Sequence, residues 1–181
     1  MIYIIMGPSG SGKTEAGEYL KRNGIKELVS HTTRSPRKGE IDGVSYHFVN
    51  QKTFEETEKI EENSYAGNLY GVSRAEVDNK SLNGDVFAVT DINGAEAFIR
   101  LYGDSVRIIY IHCSPGRLRK RMKARGDSRE AVRKRLKNYV STGESFHRYF
   151  ADIVIDNNYS KRTLYKSLKY ALVVLNTDRI Y

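Results

Sequence analysis

Long apolar runs are missing from this chain; the longest, such as Ile2 to Met6, are far too short to span a bilayer. Nothing near its start joins a basic region, a long apolar stretch and a cleavage site, so no secretory signal is expected. Cysteine occurs once, at Cys113, which excludes an internal disulfide and fits a cytoplasmic, reducing setting. That thiol follows the strand-like run Tyr110 to His112 and reads as an inert core residue. The four histidines (His31, His47, His112, His147) are scattered without metal-ligand spacing and are assigned no chemistry. No internal repeat, low-complexity segment or linker breaks the 181 residues, a length that suits one compact domain with a full core.

Charge is abundant and unevenly placed. The net charge of +8 by itself suggests nucleic acid. From Arg117 to Lys137, however, eleven basic residues stand against only Asp127 and Glu130, while the rest of the chain carries 19 basic and 20 acidic residues. The basicity therefore belongs to one segment facing a concentrated anion, with its outward lysines read as a solvated helix face. That segment has few interleaved aromatics on which bases could stack, so a nucleic-acid binder is not expected.

Isoleucine-rich Met1 to Met6 reads as a buried strand, followed by Gly7 to Gly12 and then an amphipathic helix with Ala16, Tyr19 and Leu20 on one face. Asn23-Gly24 stops that helix. Further strands are expected at Leu28 to Ser30, Val86 to Thr90, Val106 to Cys113 and Ile153 to Ile155. Helices are expected at Gly94 to Leu101, Arg117 to Lys123, Asp127 to Thr142 and Lys161 to Asn176. Strands alternating with helices imply an α/β fold with a parallel sheet flanked by helices. Between Thr32 and Gly84 the pattern changes to short extended pieces, Ser45 to Val49 and Asn68 to Ser73, around a helical stretch from Thr53 to Glu62. This reads as a small mixed α/β lobe inserted into the core.

Gly7-Pro8-Ser9-Gly10-Ser11-Gly12-Lys13-Thr14 fits the phosphate-loop pattern G-x-x-x-x-G-K-[ST] and lies where that loop must lie, between a strand and a helix. Its glycines let successive backbone N–H groups turn inward onto phosphate oxygens, and the helix beginning at Lys13 adds the positive end of its dipole. Lys13 supplies a mobile charge for the terminal phosphates, and Thr14 a hydroxyl for Mg²⁺. The loop specifies a nucleoside triphosphate, not what accepts the phosphate.

Ser30-His31-Thr32-Thr33-Arg34-Ser35-Pro36-Arg37-Lys38-Gly39-Glu40 addresses the acceptor. Two arginines three residues apart, with a proline stiffening the turn, can grip one phosphate from two sides, and Tyr46 and Tyr70 offer phenolic donors. Together with Gly67-Asn68-Leu69-Tyr70-Gly71, this stretch resembles the guanylate kinase family, and the resemblance runs from about Ile2 to Asn158. It implies transfer of the terminal phosphoryl of ATP to GMP, and to dGMP, with Mg²⁺. It also implies that Arg34, Arg37, Tyr46 and Tyr70 hold the GMP phosphate, that Ser30, Glu61 and Asp91 meet the guanine, and that Glu40 is a nearby acidic group. The chemistry of guanine agrees for Glu61, since a ring N–H and an exocyclic amine lie side by side for one carboxylate. Two positions depart from the family: Val89 stands where an acid is usual, and Val72 where a serine or threonine is usual. Ser73, next door, would point elsewhere on a regular strand.

In the basic segment, Arg121 and Arg125 lie four apart on one helix face beside the apolar pair Leu118 and Met122. Asp127 with Glu130 reads as a capping box for the next helix, whose Val132, Leu136 and Tyr139 form a core stripe beside Arg135. The resemblance implies a lid that closes over both nucleotides and presents Arg121, Arg125 and Arg135 to the transferring group, with Asp156-Asn157 as the adenine-contacting pair in reversed order. The expected division is a core of 1–31, 84–116 and 143–181, an acceptor lobe of 32–83 and a lid of 117–142. The alternatives are a related P-loop kinase for another nucleotide or a phosphorylated sugar, and a non-catalytic binding module of the same family. Against the module stands the intact loop Gly7 to Thr14.

Overall fold

The structure is a computed structural model that describes residues 1–65, 67–141 and 143–177. In chain order its elements are β1 (Ile2–Met6), α1 (Lys13–Arg22), β2 (Lys26–Glu27), β3 (His31–Thr32), β4 (His47–Phe48), α2 (Gln51–Glu56), β5 (Lys59–Tyr65) and β6 (Asn68–Ser73). There follow α3 (Arg74–Ser81), β7 (Val86–Val89), α4 (Ile92–Tyr102), β8 (Val106–His112), α5 (Pro115–Ala124), α6 (Arg129–Ser141), β9 (Ile153–Asp156) and α7 (Lys161–Thr177). A five-stranded sheet has the order β2-β7-β1-β8-β9, with β2–β7 and β8–β9 parallel. A four-stranded sheet has the order β4-β3-β6-β5, in which β5 and β6 form an antiparallel hairpin. The α/β fold with a parallel sheet and flanking helices is as expected, and the run Ile2 to Met6 is buried at every residue.

The chain divides into two compact units. One contains Met1–Tyr3 and Gly24–Val106 and carries the four-stranded sheet. Here the strand expected at Leu28 to Ser30 falls instead on either side of it. Leu28 N–H still bonds to the Phe87 carbonyl at 2.8 Å, but Val29 N–H turns to the Glu76 carboxylate at 2.7 Å. That side chain takes the donor a strand would have used, and the chain leaves one sheet for the other.

The helix expected from Thr53 to Glu62 is also shorter. Asn50 caps it by accepting from Thr53 N–H, and it ends at Glu56, where Thr57 turns extended with ψ 125°. Glu55, Glu56, Glu58, Glu61 and Glu62 would crowd like charges along one helix. The segment from Lys59 instead pairs with β6, bringing Glu61 opposite Val72 and Asn63 opposite Tyr70. Ser73 points away, as its strand position requires, and its hydroxyl caps α3 by accepting from Glu76 N–H.

The other unit contains Ile4–Asn23 and the chain from Arg107 on. In it, Cys113, Leu118, Met122 and Val132 form one buried apolar cluster with Leu136 packed against it, joining the start of α5 to α6. Asp127 does not cap α6: Ser128 does, its hydroxyl accepting from Ala131 N–H at 3.1 Å. A hydroxyl one residue nearer the helix fits that turn, and the Asp127 carboxylate is occupied by arginines.

Candidate active site

In the unit that begins at Ile4, the loop Gly7 to Gly12 joins β1 to α1. Gly7 has φ +141° and a Cβ there would stand 2.5 Å from the Ile111 carbonyl oxygen; Gly12 has φ +109° and a Cβ there would collide with the Asn157 amide. Neither position tolerates a side chain, so the loop wraps as tightly as phosphate binding demands. The Ser11 hydroxyl is buried inside this wrap with no hydrogen-bond partner among the described residues. Lys13 folds its ammonium back onto the carbonyls of Gly7 and Pro8. Burial pushes the Lys13 pKa down, with Glu144 opposing and Arg125 adding to the shift. An ammonium so placed gains from an anion entering the loop. Thr14 is exposed at the first turn of α1.

Around this loop stand the arginines of α5 and α6. Arg121 donates to the Ser11 carbonyl at 2.9 Å and to the Asn157 carbonyl at 3.0 Å. Asn157, itself buried, donates its amide to the same Ser11 carbonyl at 2.7 Å. Arg125 reaches the Ser9 hydroxyl at 3.1 Å and the Asp127 carboxylate at 2.7 Å, and Arg135 reaches that carboxylate at 2.6 Å. Together the two arginines hold Asp127 well below the usual carboxylate range, Arg125 foremost through its hydrogen bonds. A cleft of about 190 Å³ opens beside Pro8 and Ser9, lined also by Arg135, Tyr139 and Glu144. Asp156 turns to Asn158, whose side-chain oxygen in turn accepts from Ser114 N–H.

The other unit holds a separate pocket that two arginines line. Arg34, Arg37, Glu40, Tyr46, Asn63 and Tyr70 line a cavity of about 370 Å³. The two arginines and two tyrosines singled out in the sequence, with Glu40, are thus brought together. The Arg34 guanidinium lies over the Tyr46 ring at 5.3 Å, and Tyr46 meets Tyr70 edge-on at 5.9 Å. Glu40 bridges the turn, accepting from Arg34 at 2.9 Å and from Arg37 N–H at 2.7 Å. These contacts, Arg34 first, hold the Glu40 carboxyl well below its ordinary range.

Glu61 lies on β5 rather than in the helical stretch expected from Thr53 to Glu62. Burial, then the negative charge of Asp91, pushes its carboxyl up to about 7 against hydrogen bonds from Val72 N–H and Asn63. Asp91 also caps α4, accepting from Gly94 N–H at 3.1 Å. Ser30 gives its carbonyl to His47 N–H, and its own side chain makes no hydrogen bond among the described residues. Val72 is buried, with nothing polar to offer a base. Asn63 escaped the sequence reading because the helix expected to end at Glu62 hid the strand alternation Glu61-Glu62-Asn63, which puts the first and third on one face.

A phosphate loop behind a strand of a parallel sheet, with a separate pocket of arginines and tyrosines, defines a P-loop phosphotransferase for phosphorylated small molecules. A family model described as "Guanylate kinase" matches residues 1–173. A guanylate kinase of Shewanella denitrificans is 34% identical over 166 residues, 87% of this chain and 79% of that protein. One from Thermus thermophilus is also 34% identical, over 98% of this chain and 81% of the relative. The crystal structure of guanylate kinase from Anaplasma phagocytophilum matches 100% of this chain and 87% of that one, with TM-score 0.71 and 29% identity. The chain belongs to the guanylate kinase family, and it is a nucleotide-binding kinase. Among the described residues no helix is long and apolar enough to cross a membrane.

Proposed function

We propose that the chain transfers the terminal phosphoryl group of ATP to GMP, and to dGMP, giving ADP and GDP or dGDP. One observation carries the choice of acceptor: a half-buried acid, Glu61, shares a hairpin face with Tyr70 of the arginine–tyrosine pocket. A nucleoside monophosphate has the same two ends, a base and a dianion, and guanine is the base that presents two adjacent N–H groups to one carboxylate. Arg34, Arg37, Tyr46 and Tyr70 take the acceptor phosphate, Glu61 and Asp91 the guanine with Ser30 beside them, and Glu40 orders the turn. On the donor side, Gly7 to Thr14 takes the phosphates of ATP and Asp156-Asn157 the adenine. The acceptor lobe is residues 32–83 and the lid is residues 117–142.

Chemically, an oxygen of the acceptor phosphate attacks the terminal phosphorus and ADP leaves. Charge spreads over the transferring group as it moves, and Lys13, Arg121, Arg125 and Arg135 are the cations that answer it. Magnesium fits this donor set. The Thr14 hydroxyl is a hard oxygen at the exposed first turn of α1, and no cluster of three or more His, Cys, Asp or Glu among the described residues is built to hold a metal. A Mg²⁺ ion arriving with ATP would take mainly phosphate and water oxygens plus Thr14, and its chemistry when bound is to neutralise phosphate charge.

An assay of ADP release with GMP, dGMP, IMP, AMP and UMP at saturating ATP tests this. GMP leads if the proposal holds; AMP or UMP ahead of GMP overturns it.

A further inference from the structure

Glu61 and the phosphate-gripping pocket are joined by one side chain that neither the loop motif nor the arginine motif contains. Asn63 donates its amide to Glu61 Oε2 at 2.9 Å and also lines the cavity with Arg34, Arg37, Tyr46 and Tyr70. Its place follows from the hairpin register. Glu61 faces Val72 and Asn63 faces Tyr70, so all four residues fall on one face of the β5–β6 pair, with Asn63 one step nearer the phosphate end. In a nucleoside monophosphate the sugar is what lies between base and phosphate. We propose that Asn63 is the ribose-reading and base-positioning residue of the acceptor site: one amide N–H orients Glu61 toward the base, and the rest of the amide meets the sugar hydroxyls. The inference rests on the GMP-acceptor reading given above.

The energetics favour an amide there over any charged or apolar group. Burial first, then the negative charge of Asp91 at the start of α4 and that of the neighbouring Glu62, disfavour the ionised form of Glu61. It has Val72 N–H and the Asn63 amide to favour that form. Val72 supplies no side-chain hydroxyl, so the Asn63 amide is the side-chain donor that Glu61 has among the described residues. An asparagine also keeps a free acceptor oxygen and a second N–H after that bond, enough to meet one sugar hydroxyl.

The test compares wild type, Asn63→Ala and Asn63→Asp, each checked for folding by circular dichroism and thermal melting, with GMP and dGMP over pH 5.5 to 9. Asn63→Ala is expected to raise the KM for GMP about tenfold while kcat stays within about threefold, as the loss of one or two hydrogen bonds used in binding requires. The ratio of kcat/KM for GMP to that for dGMP should fall toward one, because the sugar contact goes. The acid limb of kcat/KM for GMP should move to higher pH. Asn63→Asp is close to isosteric and serves if the alanine variant does not fold; its carboxylate beside Glu61 should move that limb further. A role confined to holding the hairpin would lower stability without moving the limb or the sugar ratio. If a folded variant shows the wild-type KM, sugar ratio and acid limb, the inference is wrong although GMP remains the acceptor. If wild type does not phosphorylate GMP at all, both readings fall.

Discussion

Arg34 donates to the Glu40 carboxylate at 2.9 Å inside the pocket proposed for the acceptor phosphate. An acceptor phosphate in that pocket would meet Arg34 already engaged by Glu40, whose second oxygen accepts from Arg37 N–H at 2.7 Å. Glu40 is therefore both a competitor for Arg34 and a staple of the turn that carries Arg37. The two functions separate by substitution. Glu40→Gln keeps an oxygen for the turn and removes the charge, so the KM for GMP should stay within about threefold. Glu40→Ala loses the staple as well and should raise it about fivefold or more, since Arg37 is then no longer held. Steady-state kinetics on the two variants check this; equal effects would refute the division.

The half-buried Glu61 carboxyl, raised to about 7, makes two pH predictions. Only the ionised form accepts both guanine N–H groups, so kcat/KM for GMP should fall as pH drops through about 7, and Glu61→Gln should flatten that limb. Stability runs the other way. Between the ordinary carboxyl range and about 7 the folded state holds a proton the unfolded state has released, so stability declines as pH rises across that window and the loss is complete above it. Glu61→Gln should accordingly melt higher than wild type at pH 8 and show little difference near pH 4. Melting curves at those two pH values decide it.

Removing the ammonium of Lys13 takes a positive charge from the phosphate loop. Lys13→Ala should lower kcat by at least ~100-fold with the fold intact, the usual scale for losing a preorganised charge at the reacting group. Among the described residues the Lys13 ammonium bonds to the loop carbonyls of Gly7 and Pro8, so its loss leaves little of the structure unsupported. Turnover within about threefold of wild type, in a folded variant, would rule out the phosphate-loop assignment.

Arg37 and Arg125 should fail differently. Arg37→Ala should raise the KM for GMP and lower kcat, because the proposal places it on the acceptor phosphate before and during transfer. Arg125→Ala should act mainly on kcat, as an arginine engaging the spreading charge does. Asp127 holds both Arg125 and Arg135, at 2.7 and 2.6 Å, and Arg125 is half-exposed. Ion pairs reached by solvent in this way add little to stability, so Asp127→Asn should leave the melting temperature nearly unchanged. A kcat for Arg125→Ala equal to wild type, with only KM altered, would sink the assignment.

Legibility in the sequence followed the physics of each element. The phosphate loop was readable because Gly7 and Gly12 have no room for a Cβ, a constraint that sequence records directly. The pocket of Arg34, Arg37, Tyr46 and Tyr70 was readable from a short stiff motif and its tyrosines. The segment from Thr53 to Glu62 misled because a run of glutamates favours helix locally, while pairing with β6 decides it from a distance. Asn63 was hidden by that same error. Ser128 in place of Asp127 as the cap of α6 shows a different limit: both residue types cap, and Asp127 was drawn off by arginines two and eight positions away.

Arg121 spans the carbonyls of Ser11 and Asn157, joining the phosphate loop to the end of β9. A free arginine side chain carries about 2 kcal/mol of rotamer entropy, and here that freedom is surrendered when the chain folds. Arriving nucleotide meets a guanidinium already stilled, so the ordering cost of binding shrinks by that amount. At the proposed donor site, nucleotide binding should therefore need no slow rearrangement of the Arg121 side chain.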